Sequence, residues 1–387
     1  MTRLVWIALA LVLSVWRANA EVSVSVVYLK QEQPELPVLS NLDPVPENLG
    51  FSGASLALAD NITTGRFLGH VYALETVTVP IGGALLDAAR KALSQTRFLM
   101  LDMSAAEMLE ITDMPEAKGA ILFNVAAPDL ALRDGNCRAN LLHTLPSDAM
   151  RADALMQFVR FKRWDDLALI VGTHPADLSF AAALRTSAIK FGLSIDSEKT
   201  WAFDADMRRN AAQEVPLFTQ DLGDYDLLLI ADELHDFGRY VAYNTWIPRP
   251  VGGSEGLVPA TWAPVIEQWG AAQLQSRFGD HANREMRPID FAAWAAFRSL
   301  GEAVTRTSSN TSETLRNFLL SDDFQLAGFK GRPLSFRKWN GQMRQPIPLV
   351  SERAMVAQAP LPGYLHQRSE MDTLGLDLPE STCGAFQ

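Results

Sequence analysis

The feature that most constrains this chain is a regular alternation of short, β-branched apolar segments with longer segments of helical pattern. Residues 22–29 predict a first strand, and residues 53–62 predict a first helix. Strands that alternate with helices in this way are typical of a parallel sheet covered by helices. The predicted fold class is therefore α/β, built from doubly wound units.

The same alternation runs through most of the chain. Further strands are predicted at residues 72–81, 98–103, 120–125, 167–172, 195–203, 227–231 and 240–246. Further helices are predicted at residues 83–95, 105–112, 147–162, 177–191, 262–278, 289–305 and 313–320. Residues 331–348 predict a β-hairpin that turns at Asn340-Gly341.

The length of the chain, 387 residues, is too great for one common core, so two lobes are expected. The strand–helix series restarts after Pro146, and a segment rich in Pro and Gly follows Trp246. We expect a first lobe of residues 21–140 and 247–330, and a second of residues 141–246 and 331–358. Residues 359–387 form a C-terminal tail.

The first twenty residues have the pattern of a secretory signal peptide. Arg3 precedes an apolar run at 4–15, and Ala18-Asn19-Ala20 is a small-residue site that predicts cleavage after Ala20. The run is shorter than the roughly 20 residues that span a bilayer, and an uncleaved anchor is the alternative interpretation. No cysteine follows for lipid attachment, so we expect no membrane anchor and a location in the periplasm.

The charge of the chain argues against two classes of partner. The formal net charge of −11 becomes −13 when Arg3 and Arg17 leave with the signal peptide. Nucleic acids and anionic membranes are bound by basic surfaces. We therefore expect no nucleic-acid partner.

The two cysteines, Cys137 and Cys383, would lie in a compartment where disulfides persist. A single bridge between them would tie the tail to the middle of the chain, whereas two buried free thiols are the alternative. The sequence has no CxxC and no His/Cys cluster at zinc spacing. No structural metal is expected.

Two sequence patterns typical of nucleotide-dependent enzymes are missing from the chain. It contains no Walker loop and no GxGxxG after a strand. His174 beside Asp177 could form a general-base pair, but a histidine that caps a helix fits the same positions. We expect a protein that is not an enzyme and needs no cofactor.

Several segments in this order carry a resemblance to a known family. They are GASLAL at 53–58, Arg138 with Pro146 at the entry to the second lobe, residues 164–172 with 180–192, and the hairpin at 331–348. Together, across about residues 24–356, they resemble the type I periplasmic binding proteins, in particular the branched-chain amino-acid-binding group.

Two further stretches resemble a narrower subgroup. CRANLLHTLP at 137–146 and GFKGRPLSFR at 328–337 are similar to the binding component of the ABC system found beside pyrroloquinoline-quinone-dependent alcohol dehydrogenases. The resemblance implies a setting in alcohol or one-carbon metabolism, and it leaves the ligand open.

The family resemblance also implies an architecture and a site. Two Rossmann-like lobes would be hinged and would close on a small ligand, and the protein would be a monomer that delivers the ligand to an ABC transporter membrane permease. Topology places the ligand at the carboxyl ends of the strands. The candidate ligand-binding residues are Lys30, Asp102, Ser104, Asn124, Ala126, Thr173, His174, Asp232 and Glu233.

Two of these candidate positions have alternative roles. Ser104 lies where the family places a hydroxyl for a substrate carboxylate, yet a plain N-cap fits it as well. Asp232 and Glu233 match the region that holds a substrate ammonium group, or they form a solvated pair at the rim. This chain lacks two features of the family's amino-acid binders, a hydroxyl-rich loop and a Tyr-Gly pair. Thr173-His174-Pro175 takes the place of the Tyr-Gly pair. An α-amino-acid ligand is therefore not expected.

Two other functions compete with solute transport. One is binding of a lanthanide or a metal complex for uptake, with Asp232, Glu233 and Asp236 as candidate oxygen ligands. The other is a sensory or accessory protein that uses the same fold to signal to a partner.

Overall fold

Five parallel strands form the first sheet, in the order β2-β1-β3-β4-β5. A computed structural model describes residues 21–34, 44–202 and 207–386; the predicted signal peptide lies outside them. The strands are β1 (Val22–Gln31), β2 (His70–Val79), β3 (Phe98–Asp102), β4 (Ile121–Asn124) and β5 (Leu141–His143). Alternate side chains of β1 enter two different apolar clusters, Val26 and Tyr28 on one face and Val27 and Leu29 on the other. Helices therefore cover both faces, as a parallel sheet requires.

Within the described ranges, six α-helices surround the first sheet. They are α1 (Phe51–Leu68), α2 (Leu85–Gln95), α3 (Ala105–Thr112), α8 (Ala271–Ala282), α9 (Pro288–Thr307) and α10 (Ser312–Leu319). Helices α1 and α9 pack closely because each presents a glycine to the other. A Cβ at Gly53 would lie 1.9 Å from the carbonyl oxygen of Asp290, and one at Gly301 would lie 2.1 Å from Asn61 Oδ1.

The second sheet is also parallel, in the order β7-β6-β8-β9. Its strands are β6 (Asp166–Val171), β7 (Ser194–Thr200), β8 (Leu227–Ala231) and β9 (Val251–Gly253). The helices of this lobe are α4 (Asp148–Lys162), α5 (Pro175–Lys190), α6 (Met207–Thr219) and α7 (Gly238–Val241). Leu169 and Ile170 on β6 enter separate apolar clusters, so this sheet too is buried on both faces.

Among the residues that the structure describes, three segments cross between the two lobes, at 144–147, 254–259 and 345–347. Strands β10 (Val258–Pro259), β13 (Ile347–Val350) and β14 (Met355–Ala359) form an antiparallel sheet at these crossings. Strands β11 (Ser335–Phe336) and β12 (Met343–Arg344) form the predicted hairpin.

The lobe assignments of three segments differ from the sequence prediction. Strand β5 pairs with β4 in the first sheet, although residues from 141 onward were expected in the second lobe. Strand β9 pairs with Leu228–Ile230 in the second sheet, although residues 247 onward were expected in the first lobe. The hairpin packs in the first lobe, because Phe336 and Met343 are buried in its core, although residues 331–344 were expected in the second. The apolar side chains of these short strands decided their placement.

Most predicted elements are confirmed, with helix 105–112 and strand 227–231 matching to the residue. The strand predicted at 240–246 is wrong. The Asp232 carboxylate accepts the N–H groups of Phe237 and Gly238, which starts helix α7 there instead. The helix predicted from 262 begins only at Ala271, since Gly270 has a φ of 81°.

The disulfide predicted between Cys137 and Cys383 is confirmed. The two sulfurs are bonded, and the Cα atoms lie 5.7 Å apart across a sequence separation of 246 residues. The tail is therefore fastened to the loop that precedes β5.

Candidate ligand-binding cleft

The nominated residues lie at the carboxyl ends of strands in both sheets. Lys30 and Asp102 are at the ends of β1 and β3, and Asn124 ends β4. In the second sheet, Thr173 and His174 follow β6, and the two acidic residues at 232–233 follow β8. Within the described residues, no hydrogen bond joins a nominated residue of one sheet to one of the other. Each lobe therefore contributes a separate half of the candidate site.

In the first lobe, Asp102 is the centre of a small polar group. Its Oδ2 accepts a 2.8 Å hydrogen bond from the Tyr28 hydroxyl, and Lys30 Nζ lies 3.9 Å away. Burial raises the pKa of Asp102, and the contacts with Tyr28 and Lys30 oppose that rise. Lys30 remains about a quarter exposed and is the cation that this half of the site presents.

Ser104 is the N-cap of helix α3. Its hydroxyl accepts the N–H of Glu107, and the Glu107 carboxylate in turn accepts the N–H and hydroxyl of Ser104, at 2.9 and 2.7 Å. Gln33 donates to the same carboxylate oxygen. The helix terminus already holds a carboxylate, which belongs to the chain itself.

Asn124 shapes the loop after β4 rather than the surface of the cleft. The side chain is fully buried, its Oδ1 accepts the N–H groups of Ala126 and Ala127, and its Nδ2 donates to the Ala127 carbonyl. Beneath the loop, the buried Arg133 donates to the carbonyls of Ala127 and Asp129. Arg133 was missed from the sequence, where nothing marks it as buried.

In the second lobe, His174 is the N-cap of helix α5, which is the helix-capping role that the sequence offered as the alternative to a general-base pair. Its Nδ1 accepts the N–H of Ala176, and Asp177 Oδ2 accepts the His174 N–H at 3.0 Å. Asp177 Oδ1 accepts the N–H of Glu233 at 2.7 Å and so ties this terminus to the loop after β8. Thr173 is exposed at the rim.

The two acidic residues after β8 are both engaged within the protein. Asp232 is 1% exposed and accepts backbone N–H groups of the following turn, at residues 236–238. Glu233 forms a bidentate pair with Arg151, at 2.7 and 3.0 Å, and accepts from Ser254 at 2.8 Å. Burial acts to raise the pKa of Glu233, but Arg151 and Ser254 outweigh it and the pKa is lowered. Glu233 is thus an ionised acid with its own counter-charge.

Arg151 organises this half of the site, and the sequence did not reveal it. Besides Glu233, its guanidinium donates to Asp148 Oδ1 at 3.1 Å and to the Pro259 carbonyl at 3.3 Å, and it lies 4.3 Å from the centre of the Phe180 ring. In the sequence, Asp148 and Arg151 look like an ordinary i,i+3 pair on a helix surface. Only the position of α4 at the crossing turns Arg151 inward.

No metal site is formed by Asp232, Glu233 and Asp236. Within residues 21–34, 44–202 and 207–386, no three His, Cys, Asp or Glu side chains are placed to hold a metal ion. The carboxylates of Asp232 and Glu233 are instead directed at backbone N–H groups and at Arg151.

Asp148, in this half of the site, makes the stability of the native state depend on pH. Burial and the nearby Glu233 raise the pKa of Asp148 from 3.8 to about 6, although Arg151 opposes the rise. The Asp148 carboxyl holds its proton more tightly in the native state than in the unfolded chain. The contribution of this protonated carboxyl to the stability of the native state is therefore complete below pH 3.8, and it is lost as the pH rises through about 6.

Relative to the wild type, the free energy of unfolding of Asp148→Asn should therefore rise by about 2–3 kcal/mol between pH 4 and pH 6.5. The reason is that the Asn side chain carries no charge that must be buried. Urea denaturation of both proteins across this range measures the difference. A difference that does not change with pH would contradict the assignment of the shift to Asp148.

Comparison with known proteins gives matches of structure, not of sequence. No protein-family model matches the chain, and no curated protein matches its sequence. Among the helices that the structure describes, none is both long and apolar enough to cross a bilayer.

Solved structures match over nearly the whole chain. A branched-chain amino acid ABC transporter periplasmic ligand-binding protein from Burkholderia xenovorans matches with a TM-score of 0.71 at 15% identity, covering 94% of this chain and 100% of the other. A leucine-, isoleucine-, valine-, threonine- and alanine-binding protein from Brucella ovis, in a closed conformation, matches with a TM-score of 0.66 at 11% identity. The match covers 87% of this chain and 92% of the other. This chain has the type I periplasmic binding protein fold.

The type I fold is shared by proteins with different ligands. An ABC transporter solute-binding protein from R. palustris in complex with benzoate matches with a TM-score of 0.63 at 11% identity, covering 94% of this chain and 99% of the other. These neighbours are solute-binding proteins. At such identities the likeness concerns the fold, so the ligand must be argued from the residues of this chain.

Proposed function

We propose that this chain is the periplasmic solute-binding component of an ABC transporter and takes a small ligand between its two lobes. The observation that carries the proposal is the pair of parallel sheets, joined by three crossings, whose carboxyl ends bear the polar loops described above. Such sheets leave a crevice at that edge. Closure of the lobes around the ligand would give the permease a form to distinguish from the empty protein.

The ligand is proposed to lack the paired charges of an α-amino acid. The helix terminus at Ser104 is occupied by the Glu107 carboxylate, and Glu233 is occupied by Arg151. A free carboxylate or ammonium group would have to displace these internal partners, which costs hydrogen bonds already made. This supports the expectation from the sequence that the ligand is of another class.

We further propose that the transported compound belongs to alcohol oxidation dependent on pyrroloquinoline quinone. The support is the resemblance of residues 137–146 and 328–337 to the binding component of that system. Candidate ligands are an alcohol-derived metabolite, the quinone cofactor or its precursor. The protein would act as a monomer without catalytic activity, exported to the periplasm through the signal peptide at residues 1–20.

Thermal unfolding of the mature protein tests this function. A compound present at about one hundred times its dissociation constant should add about 2.7 kcal/mol to the stability of the native state and raise Tm. We expect such a rise with a product of alcohol oxidation or a quinone cofactor, and none with leucine. A rise with leucine alone would contradict the proposed ligand class, and no rise with any small solute would contradict solute binding.

Lanthanide ions belong in the same screen as a control. Calorimetric titration should show no heat at micromolar metal, because the acidic residues after β8 already have internal partners. Saturable heat would favour the metal-uptake alternative instead.

A further inference from the structure

The C-terminal strap, residues 360–386, contacts both lobes along its length. On the second lobe, the Leu361 N–H donates to Gln157 Oε1 at 3.0 Å, and Leu361 and Leu374 are buried in the core beside α4 and α5. The Gly375 N–H donates to Asp153 at 2.7 Å, and Lys190 donates to the Gly375 carbonyl at 2.9 Å. These contacts hold the strap to two helices of the second lobe.

On the other side, the strap is held by the β11–β12 hairpin. Arg337 is 1% exposed and donates to Asp372 Oδ1 at 3.0 Å and to the Leu374 carbonyl at 2.6 Å. Arg344 donates to both carboxylate oxygens of Asp372, at 2.7 and 3.1 Å. One buried carboxylate thus joins two arginines of the hairpin to the strap.

The hairpin itself belongs firmly to the first lobe. Its Gln342 accepts from Arg133 at 2.8 Å, and the Gly341 carbonyl accepts the His143 N–H at 2.9 Å. Phe336 packs 6.4 Å from Phe123 of β4, measured between ring centres. A contact with the hairpin is therefore a contact with the first lobe.

The two sets of contacts are only three residues apart on the strap. Asp372 is bound to the first lobe and Gly375 to the second, and three residues span at most about 10–11 Å when fully extended. A link of three residues can therefore extend only a little further. Relative rotation of the lobes must strain this link or break contacts on one side of it.

The far end of the strap returns to the first lobe. Thr382 donates from its hydroxyl to Asp134 at 2.8 Å, and Cys383 is bonded to Cys137. Phe386 packs against the first-lobe core beneath the Arg316 guanidinium. The strap therefore begins beside the second lobe, is held between the lobes at 372–375, and ends covalently fixed to the first.

We propose that the C-terminal strap is a fourth connection between the lobes and limits the angle through which they open. The inference depends on the proposed function only in that the lobes move about their crossings. A restrained hinge keeps the two halves of the site close to their bound arrangement, which lowers the ordering cost of binding. Both anchors of the strap, the Asp372 network and the disulfide, are needed for the full restraint.

The test measures the distance between the lobes without any ligand. Fluorophores or spin labels attached through stable thioethers at Thr64→Cys on α1 and Ala182→Cys on α5, both exposed, would report it in the full mature chain, with the native disulfide intact in every protein except the serine double variant. One variant, Arg344→Gln, removes half of the hairpin contact and leaves Arg337 on Asp372. The other, Cys137→Ser with Cys383→Ser, releases the far end. Arg368→Ala, at an exposed strap position, is the matched control.

We expect a narrow distance distribution for the wild type and the control, and a broader distribution, or one shifted to longer distances, for both variants. Circular dichroism and cooperative melting establish that each protein is folded, and either variant decides the question if the other fails to fold. Folded variants with the wild-type distribution would overturn the restraint, as would a wild-type distribution that is already broad. Since no ligand is present, an unsuccessful ligand screen would leave this result intact.

Discussion

Replacing both cysteines with serine, Cys137→Ser and Cys383→Ser, is expected to lower the free energy of unfolding by about 5 kcal/mol. The bridge closes a separation of 246 residues, and a loop of that length greatly restricts the unfolded chain. The fold of each lobe should change little, because the strap keeps its contacts at Asp372 and Gly375, and only the proposed restraint between the lobes is weakened. Denaturation in guanidinium under oxidising conditions measures the loss.

Reduced wild-type protein is the matched control for this variant, since it has the same open chain with thiols in place of hydroxyls. The two should unfold at the same denaturant concentration. A loss of unfolding free energy smaller than about 1 kcal/mol would show that the segments around residues 137 and 383 stay close together in the unfolded chain without the bridge.

Asp372→Ala is expected to cost about 3–5 kcal/mol, because it leaves the charge of Arg337 buried without its counter-ion. Arg337 is 1% exposed, and Asp372 is the acid it contacts, with Arg344 sharing the same carboxylate. Burial already lowers the pKa of Arg337, and Asp372 opposes that effect. Thermal and chemical denaturation of the purified variant measure the loss.

Asp322→Ala is the control for this prediction. Asp322 also pairs with a base of the hairpin region, Lys338, but its side chain is 89% exposed. Exposed ion pairs contribute little, so stability should stay at the wild-type value. Equal losses in the two variants would contradict the importance of burial at Asp372.

The elements of the fold could largely be predicted from the sequence because each has a strong local signal. Helix 105–112 has Ser104 as its cap and Glu107 three residues later, and strand 227–231 is a continuous apolar run between polar flanks. The failures have equally local causes. The strand predicted at 240–246 has suitable side chains, yet the Asp232 carboxylate draws the preceding turn into a helix.

The candidate site could be predicted only as a set of positions. Strand ends are fixed by the order of elements, so Lys30, Asp102 and Glu233 were placed at the right edge of each sheet. What their side chains contact was not predictable, because the partners are distant in sequence. Arg151 reaches Glu233 across 82 residues.

The sequence alone was sufficient to predict the α/β class, the order of strands and helices, the pairing of the two cysteines, and the edge at which polar loops gather. These follow from periodicity, turn chemistry and composition, which act over a few residues. Tertiary structure alone showed that the Glu233 carboxylate is paired with Arg151, and that Asp372 joins the tail to the hairpin. Burial and ion pairing depend on which distant segments meet, and that is settled when the two lobes pack.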